Sequence, residues 1–203
     1  NHYDHLDRDS VLALNRQAGG PPLFLVPLGI KPWMAAQGIT NVRELDWWQS
    51  QSMAGLELSL VPVQHWSARS ITDRFETLWG GWIAQTDKKT AKPFTLFFSG
   101  DTGYSKDFAD IHRRFGAVDL ALLPIGAYEP RWFMGPVHMN PDDAVRAHVD
   151  LGARRSLSIH FNTFQLTDEA IEQPVLDLQD ALQTHGVASA AFAVLKEGSA
   201  LRV

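Results

Sequence analysis

The chain has 203 residues, 45% apolar and 20% charged, which suits one substantial core, is too short for two comfortable domains, and excludes a disordered or collagen-like chain. Eighteen Lys and Arg against 23 Asp and Glu give a formal charge of -5 without any basic block, which disfavours nucleic acid as a partner. Cysteine is absent, so disulfides, thiolate metal sites and cysteine nucleophiles are excluded together, and any metal must be held by His and carboxylate.

The chain opens directly on Asn1-His2-Tyr3-Asp4-His5, with neither methionine nor signal-like leader, so position 1 reads as the interior of something longer. Residues 10–17 predict a helix, 23–26 a strand and 31–37 a second helix, with Gly19-Gly20-Pro21-Pro22 as a tight connection. Strands are predicted over 56–63, 78–84 and 94–99, a helix over 106–115, and a strand over 120–125. Asn140-Pro141-Asp142-Asp143 supplies an N-cap, a first-turn proline and acidic residues, and Gly152 is placed to end that helix. Residues 156–160 predict a strand, 167–185 a last helix interrupted early by Pro174, and 192–196 a final strand. Trp47, Trp48, Trp66, Trp79 and Trp82 are expected to be core and sheet-packing residues. The apolar runs 23–30 and 120–127 each contain a proline and are too short to span a bilayer. Strands mixed with helices throughout favour an α/β layered domain.

His2-x-Asp4-His5 packs three metal-ligand types into four residues. His65 follows the 56–63 run, Asp101 follows 94–99 within Ser99-Gly100-Asp101-Thr102-Gly103, and His160 closes 156–160. Each falls at the C-terminal end of a predicted strand, and such ends gather at one rim where side chains converge. Imidazole and carboxylate suit two divalent ions sharing one carboxylate, with Zn²⁺ first and Mn or Fe compatible. Two such ions lower the pKa of bound water to about 7 and hold both attacking and leaving oxygens, a hydrolase design without a protein nucleophile. His112, His148 and His185 fall on predicted helices and read as structural. Asp7 is placed to orient a metal-binding histidine, and Trp132-Phe133-Met134 to present apolar bulk from a loop to an acyl chain or membrane. Arg131 has two readings, a phosphate partner or a partner for Glu129 or another carboxylate.

His2-Tyr3-Asp4-His5 resembles the last four positions of the HxHxDH motif of the metallo-β-lactamase superfamily, and His65, Asp101 and His160 resemble its later ligands in order and approximate spacing. Within that superfamily the pattern is most similar to the N-acylphosphatidylethanolamine-hydrolysing phospholipase D family and its bacterial relatives. Gln64-His65-Trp66, Leu78-Trp79-Gly80, Gly100-Asp101-Thr102-Gly103-Tyr104, the segment from Pro124 through Tyr128-Glu129-Pro130-Arg131-Trp132-Phe133-Met134, and His138 followed by Pro141 and Ala144-Val145 carry that likeness along almost the whole chain.

The resemblance implies an αββα sandwich with its N-terminal part missing, so that residues 1–203 form the C-terminal portion of a single metallo-β-lactamase-like domain. It implies that His2 and His65 bind one divalent ion, that Asp4, His5 and His160 bind the other, and that Asp101 bridges them. The first histidine of the motif would stand just ahead of Asn1. His138 is expected to line the site and either contact a phosphoryl group or support a metal-bound oxygen, aided by the free N–H groups of the helix beginning near Asn140. Asp4, Asp101 and His138 thus form the expected catalytic set, and His138, Arg131, Trp132, Phe133 and Tyr128 the expected substrate contacts. The activity implied is hydrolysis of an N-acylphosphatidylethanolamine-like lipid by a metal-bridging hydroxide. The alternatives are a hydrolase of a lactone, phosphorylated sugar or other small ester, and an impaired, non-catalytic fragment. Expected partners are the phospholipid or small ester, a membrane touched peripherally, a second copy in a homodimer, and the missing N-terminal segment, with a cytoplasmic or membrane-peripheral location.

Overall fold

Two sheets of unequal size form the frame of the computed structural model, which describes residues 1–87 and 93–202. In the smaller, β1 (Phe24–Pro27) pairs in parallel with β2 (Val42–Leu45). Helices α1 (Arg8–Asn15) and α2 (Lys31–Ala36) cover it, and Val11, Ile30 and Met34 close a small core against Val26 and Val42. The larger sheet runs in chain order through β3 (Ser50–Met53), β4 (Leu56–Val61), β5 (Gly81–Thr86), β6 (Thr95–Phe98), β7 (Leu120–Pro124), β8 (Arg155–Ile159) and β9 (Phe192–Ala193).

Strands β3 to β6 pair antiparallel and β6 to β9 parallel. Parallel neighbours need crossovers, supplied by α3 (Asp107–Phe115), by α4 (Arg131–Met134) with α5 (Pro141–Asp150), and by α6 (Gln173–Thr184). Helix α5 touches α3, α6 and β7, so the long crossover helices share one face of the sheet. Alternation along β6 shows how the two faces divide: Phe97 packs edge-on to Phe108 of α3, ring centroids 6.3 Å apart, while Phe98 borders a cleft shared with Leu25 and Val26 of β1. Helices therefore lie outside both sheets, the αββα order expected. Strands β4, β6, β7 and β8 all point the same way, so their carboxyl ends meet at one rim.

Helix α5 follows its sequence signals. Asn140 Oδ1 accepts from the Asp143 N–H at 2.9 Å, Pro141 occupies the first turn, and Gly152 takes φ +57° where a Cβ would lie 2.4 Å from the His112 ring. Several boundaries differ from expectation. The polar strands β2 and β3 lack an apolar signature; β3 exists as the hairpin partner of β4, through a turn at Ala54-Gly55 with both φ positive. The run 56–63 leaves the sheet after Val61, and 192–196 pairs only at Phe192–Ala193. Strand β5 begins at Gly81 and not residue 78, because the Leu78 N–H bonds the Leu28 carbonyl at 2.8 Å and ties the two sheets together. Helix α6 begins at Gln173, so Pro174 starts it and does not interrupt it. Trp47, Trp48, Trp66, Trp79 and Trp82 are all half-buried: Trp48 and Trp79 pack against the main core and Trp82 lies on β5, as expected, whereas Trp47 and Trp66 are not part of that core. Two indole N–H groups are satisfied by the backbone, that of Trp79 by the Val63 carbonyl at 2.9 Å and that of Trp47 by the Trp79 carbonyl at 2.6 Å. No helix among the described residues is long and apolar enough to cross a membrane.

Candidate metal centre

The segment before α1 folds as a turn in which the N–H groups of His5 and Leu6 both donate to the His2 carbonyl, at 3.1 and 2.8 Å. This brings His2, Asp4 and His5 to the rim where β4, β6 and β8 end. His65 arrives from the loop after β4, Asp101 from the loop after β6, and His160 directly after β8. His160 sits in the left-handed region at φ +57°, where the chain reverses. Thr102 stitches two of these loops: its hydroxyl accepts from the Gln64 N–H at 3.0 Å and its carbonyl from the Met139 N–H at 2.9 Å.

Two groups of side chains result. The ligand atoms of Asp4, His5, Asp101 and His160 lie within 4.8 Å of one another, as do those of His65, Asp101 and His138. Asp101 belongs to both. Its Oδ2 is 2.9 Å from His5 Nε2, and its Oδ1 is 3.2 Å from His160 Nε2 without the geometry of a hydrogen bond. His2 Nδ1 stands 3.4 Å from His65 Nε2, which places His2 beside the second group.

The residues fit a metal. His2 Nε2, Asp101 Oδ1, His138 Nδ1 and His160 Nδ1 are buried without a hydrogen-bond partner, and buried polar atoms are ordinarily satisfied. The donor set is imidazole and carboxylate throughout, suited to borderline divalent ions. Burial holds the His65 imidazole down at about 4, and burial likewise lowers His2 and His138, so these rings present lone pairs and not protons at neutral pH. Burial opposes ionisation of Asp101, but the hydrogen bond from His5 and the nearby imidazoles of His160, His5 and His138 outweigh it, and its carboxyl stays well below the usual carboxylate range. The hydrogen bond to Asp101 raises His5; the proton shared there is the one an incoming cation displaces.

A cavity of about 190 Å³ opens onto both groups, bordered also by Trp66, Met134, Leu166 and Thr167. A second, of about 240 Å³, meets it at Asp4 and His160 and is walled by Phe161, Phe164, Leu166 and Ile171.

Not every expected residue reaches this place. Trp132 and Phe133 lie on the one-turn helix α4, not in a loop, and are 83% and 64% exposed, outside both cavities; Met134 lines the first instead. Tyr128 is buried and turned toward α6, its hydroxyl donating to Asp177 at 2.5 Å. Arg131 is taken by protein groups, donating to the Asp143 carboxylate at 2.7 Å and to the His138 carbonyl at 3.0 Å. The N-terminus of α5 offers little to an anion, since Pro141 has no N–H, Asn140 takes the Asp143 and Ala144 donors, and Asp142 and Asp143 add negative charge. Asp7 caps α1, accepting from the Ser10 N–H and hydroxyl at 2.8 and 2.7 Å, and orients no histidine. His148 and His185 are structural as expected, bonded to Ser156 and Asp142, and His112 packs against Gly152. Trp66 is the residue missed: assigned to core and sheet packing, it lies against His2 with ring centroids 4.3 Å apart and planes inclined by 60°. Its place directly after His65 was the available signal.

Comparison with known proteins agrees with this geometry. Residues 1–161 match the family described as the beta-lactamase superfamily domain. The chain is 38% identical over 195 residues to N-acyl-phosphatidylethanolamine-hydrolyzing phospholipase D 1 of Caenorhabditis elegans, covering 89% of this chain and 53% of that protein. It is 39% identical over 180 residues to the mitochondrial N-acyl-phosphatidylethanolamine-hydrolyzing phospholipase D of Saccharomyces cerevisiae, covering 86% and 37%. The chain thus spans about half or less of the length of these relatives. Among solved structures, an isothiocyanate hydrolase from Delia radicum gut bacteria superposes with a TM-score of 0.71 at 20% identity, over all of this chain and 74% of that one, a likeness of fold. A half-buried His and Asp cluster at the carboxyl ends of a mixed sheet, the family match and these relatives together establish that the chain belongs to the metallo-β-lactamase superfamily of metal-dependent hydrolases, as a homologue of the N-acylphosphatidylethanolamine-hydrolysing phospholipases D.

Proposed function

We propose that this chain carries the metal-binding rim of a phosphodiesterase of phospholipase D type acting on N-acylphosphatidylethanolamine-like lipids. The observation that carries the reading is the sharing of Asp101 by two ligand groups that face one cavity, in a chain 38% identical to a phospholipase of that kind. Two divalent ions, with Zn²⁺ the best match to the donors, would supply a nucleophile at neutral pH and neutralise charge on the phosphoryl oxygens.

The protein's own groups define the rest. Asp4, His5, Asp101 and His160 would hold one ion, and His65, His2 and Asp101 the other. His138, whose ring stands 5.2 Å from that of His65 and 5.8 Å from that of His160, is placed to contact a phosphoryl oxygen through the one N–H of its neutral ring. The bond broken is the one from phosphorus to the ethanolamine oxygen. Water contributes its hydroxyl to phosphorus and its proton to that oxygen, releasing phosphatidic acid and an N-acylethanolamine. The cavity walled by Phe161, Phe164, Leu166 and Ile171 gives an apolar acyl chain somewhere to lie beside the reacting centre, and exposed Trp132 and Phe133 suit peripheral contact with the bilayer that presents it.

The test is to load the protein with Zn²⁺, supply N-acylphosphatidylethanolamine in mixed micelles, and measure N-acylethanolamine by mass spectrometry. Release of that product supports the reading. Cleavage of small lactones or phosphodiesters with no action on the lipid replaces it with a small-ester hydrolase, and failure to retain metal replaces it with a non-catalytic fragment.

A further inference from the structure

The turn carrying His2, Asp4 and His5 is unlike the other ligand segments, because it does not continue a strand of the large sheet and must be held at the rim by something else. Arg69 is in position to do so. One guanidinium nitrogen donates to the Asn1 carbonyl at 2.7 Å and to the Leu6 carbonyl at 2.8 Å, so a single group grips both ends of the turn. The guanidinium also lies 4.2 Å from the ring centre of Tyr3, within the turn, and 4.5 Å from that of Trp33 on α2. Tyr3 returns a bond from its hydroxyl to the Arg69 carbonyl at 3.0 Å. Arg69 is itself anchored, since the Arg69 and Ser70 N–H groups both donate to the Asp73 carboxylate, at 2.9 and 2.7 Å. The loop that carries His65 therefore also carries the clamp on the other histidines, four positions further on.

We infer that Arg69 is a positioning residue for the metal centre: it fixes the turn bearing His2, Asp4 and His5 at the distance from His65 and Asp101 that a pair of ions requires. It touches neither ion nor substrate. A planar guanidinium that donates to two carbonyls while lying over two aromatic rings is the particular chemistry of arginine, and lysine reproduces its charge without the planar face. The inference rests on the metal assignment of the cluster and is independent of the lipid reading.

The experiment is a Zn²⁺ titration of metal-free wild type, Arg69→Ala and Arg69→Lys by calorimetry, with circular dichroism of each metal-free protein. Groups that orient metal ligands typically cost 10- to 100-fold in affinity when removed, and we expect Arg69→Ala to lose at least about tenfold, Arg69→Lys to fall in between, and guanidinium at millimolar concentration to restore part of the loss in Arg69→Ala where sodium chloride does not. Wild-type affinity in both variants overturns the inference. If Arg69→Ala does not fold, Arg69→Lys decides alone: weakened binding supports the clamp and unchanged binding refutes it. A wild-type protein that takes up no ion overturns the metal assignment and the inference with it, whereas a wild type that binds Zn²⁺ with affinity indifferent to residue 69 overturns only the inference.

Discussion

The Val137 carbonyl lies 2.9 Å from Nδ1 of His65. A carbonyl can only accept, so Nδ1 carries the hydrogen, and with burial holding the imidazole down at about 4 the ring is neutral and Nε2 is the bare nitrogen facing His2 and Asp101. The tautomer needed for a ligand is thus set by the chain segment that also delivers His138.

Unequal sharing of ligands predicts unequal losses of metal. Asp101 serves both groups and His65 one. After dialysis against trace Zn²⁺, Asp101→Ala should retain essentially no ion, while His65→Ala should keep about one of the two that a bridged pair provides. Metal content by plasma mass spectrometry checks both.

His138 and Arg131 should behave as a pair with separable effects. His138→Ala should lower turnover sharply with metal content intact. Arg131→Ala removes a donor from the His138 carbonyl and one of the two arginines on the Asp143 carboxylate, Arg146 remaining 3.1 Å from it, so it should cost about 1 kcal/mol of stability. Denaturant unfolding and single-turnover rates distinguish the two variants.

Glu169 supplies a pH dependence away from the metal centre. Its carboxylate accepts from the N–H groups of Ala127, Tyr128 and Glu129 at 2.8, 3.2 and 3.0 Å. Burial pushes the group up, but these bonds and that from Thr167 hold it below its ordinary 4.5. A carboxyl depressed in the folded state contributes its full stability above the unfolded value and loses it as pH falls through the folded one. The urea midpoint of wild type should therefore exceed that of Glu169→Gln at pH 7, and the gap should close progressively below about pH 4.5.

At Gly126, after β7, a Cβ would lie 2.4 Å from the His160 carbonyl and 3.1 Å from Phe161 Cα. Backbone cannot yield as a side-chain tip does, so Gly126→Ala should cost about 1 to 3 kcal/mol and displace His160. A lowered thermal midpoint accompanied by weaker Zn²⁺ binding is the expected result; a lowered midpoint with unchanged binding would show that the loop relaxes without moving the histidine.

Residues whose role depends on a strand end were legible in the sequence, because a β-run predicts where its last side chain emerges. His65, Asp101 and His160 were located in that way, and His2-x-Asp4-His5 by the density of ligands. What was not legible depends on partners far apart in the chain. Arg69 meets Asn1 and Leu6 across more than sixty residues, Tyr128 meets Asp177, and local spacing gives no hint that Arg131 would be taken by Asp143. Asp7 was misread for the opposite reason: its partner Ser10 is three residues away, a capping signal overshadowed by the nearby histidines. Polar strands β2 and β3 were missed because pairing with a neighbour, not apolar patterning, makes them strands.

The ligand groups draw on positions from His2 to His160, delivered by a turn and by loops that follow β4, β6 and β8. Contacts so distant in sequence cost loop-closure entropy before they are made. A chain in which β8 has not yet docked can bring together the turn, His65 and Asp101 but lacks His160, leaving one group a donor short. Filling of both groups would therefore report a docked β8, because without it only the group of His65 and Asp101 has all its donors.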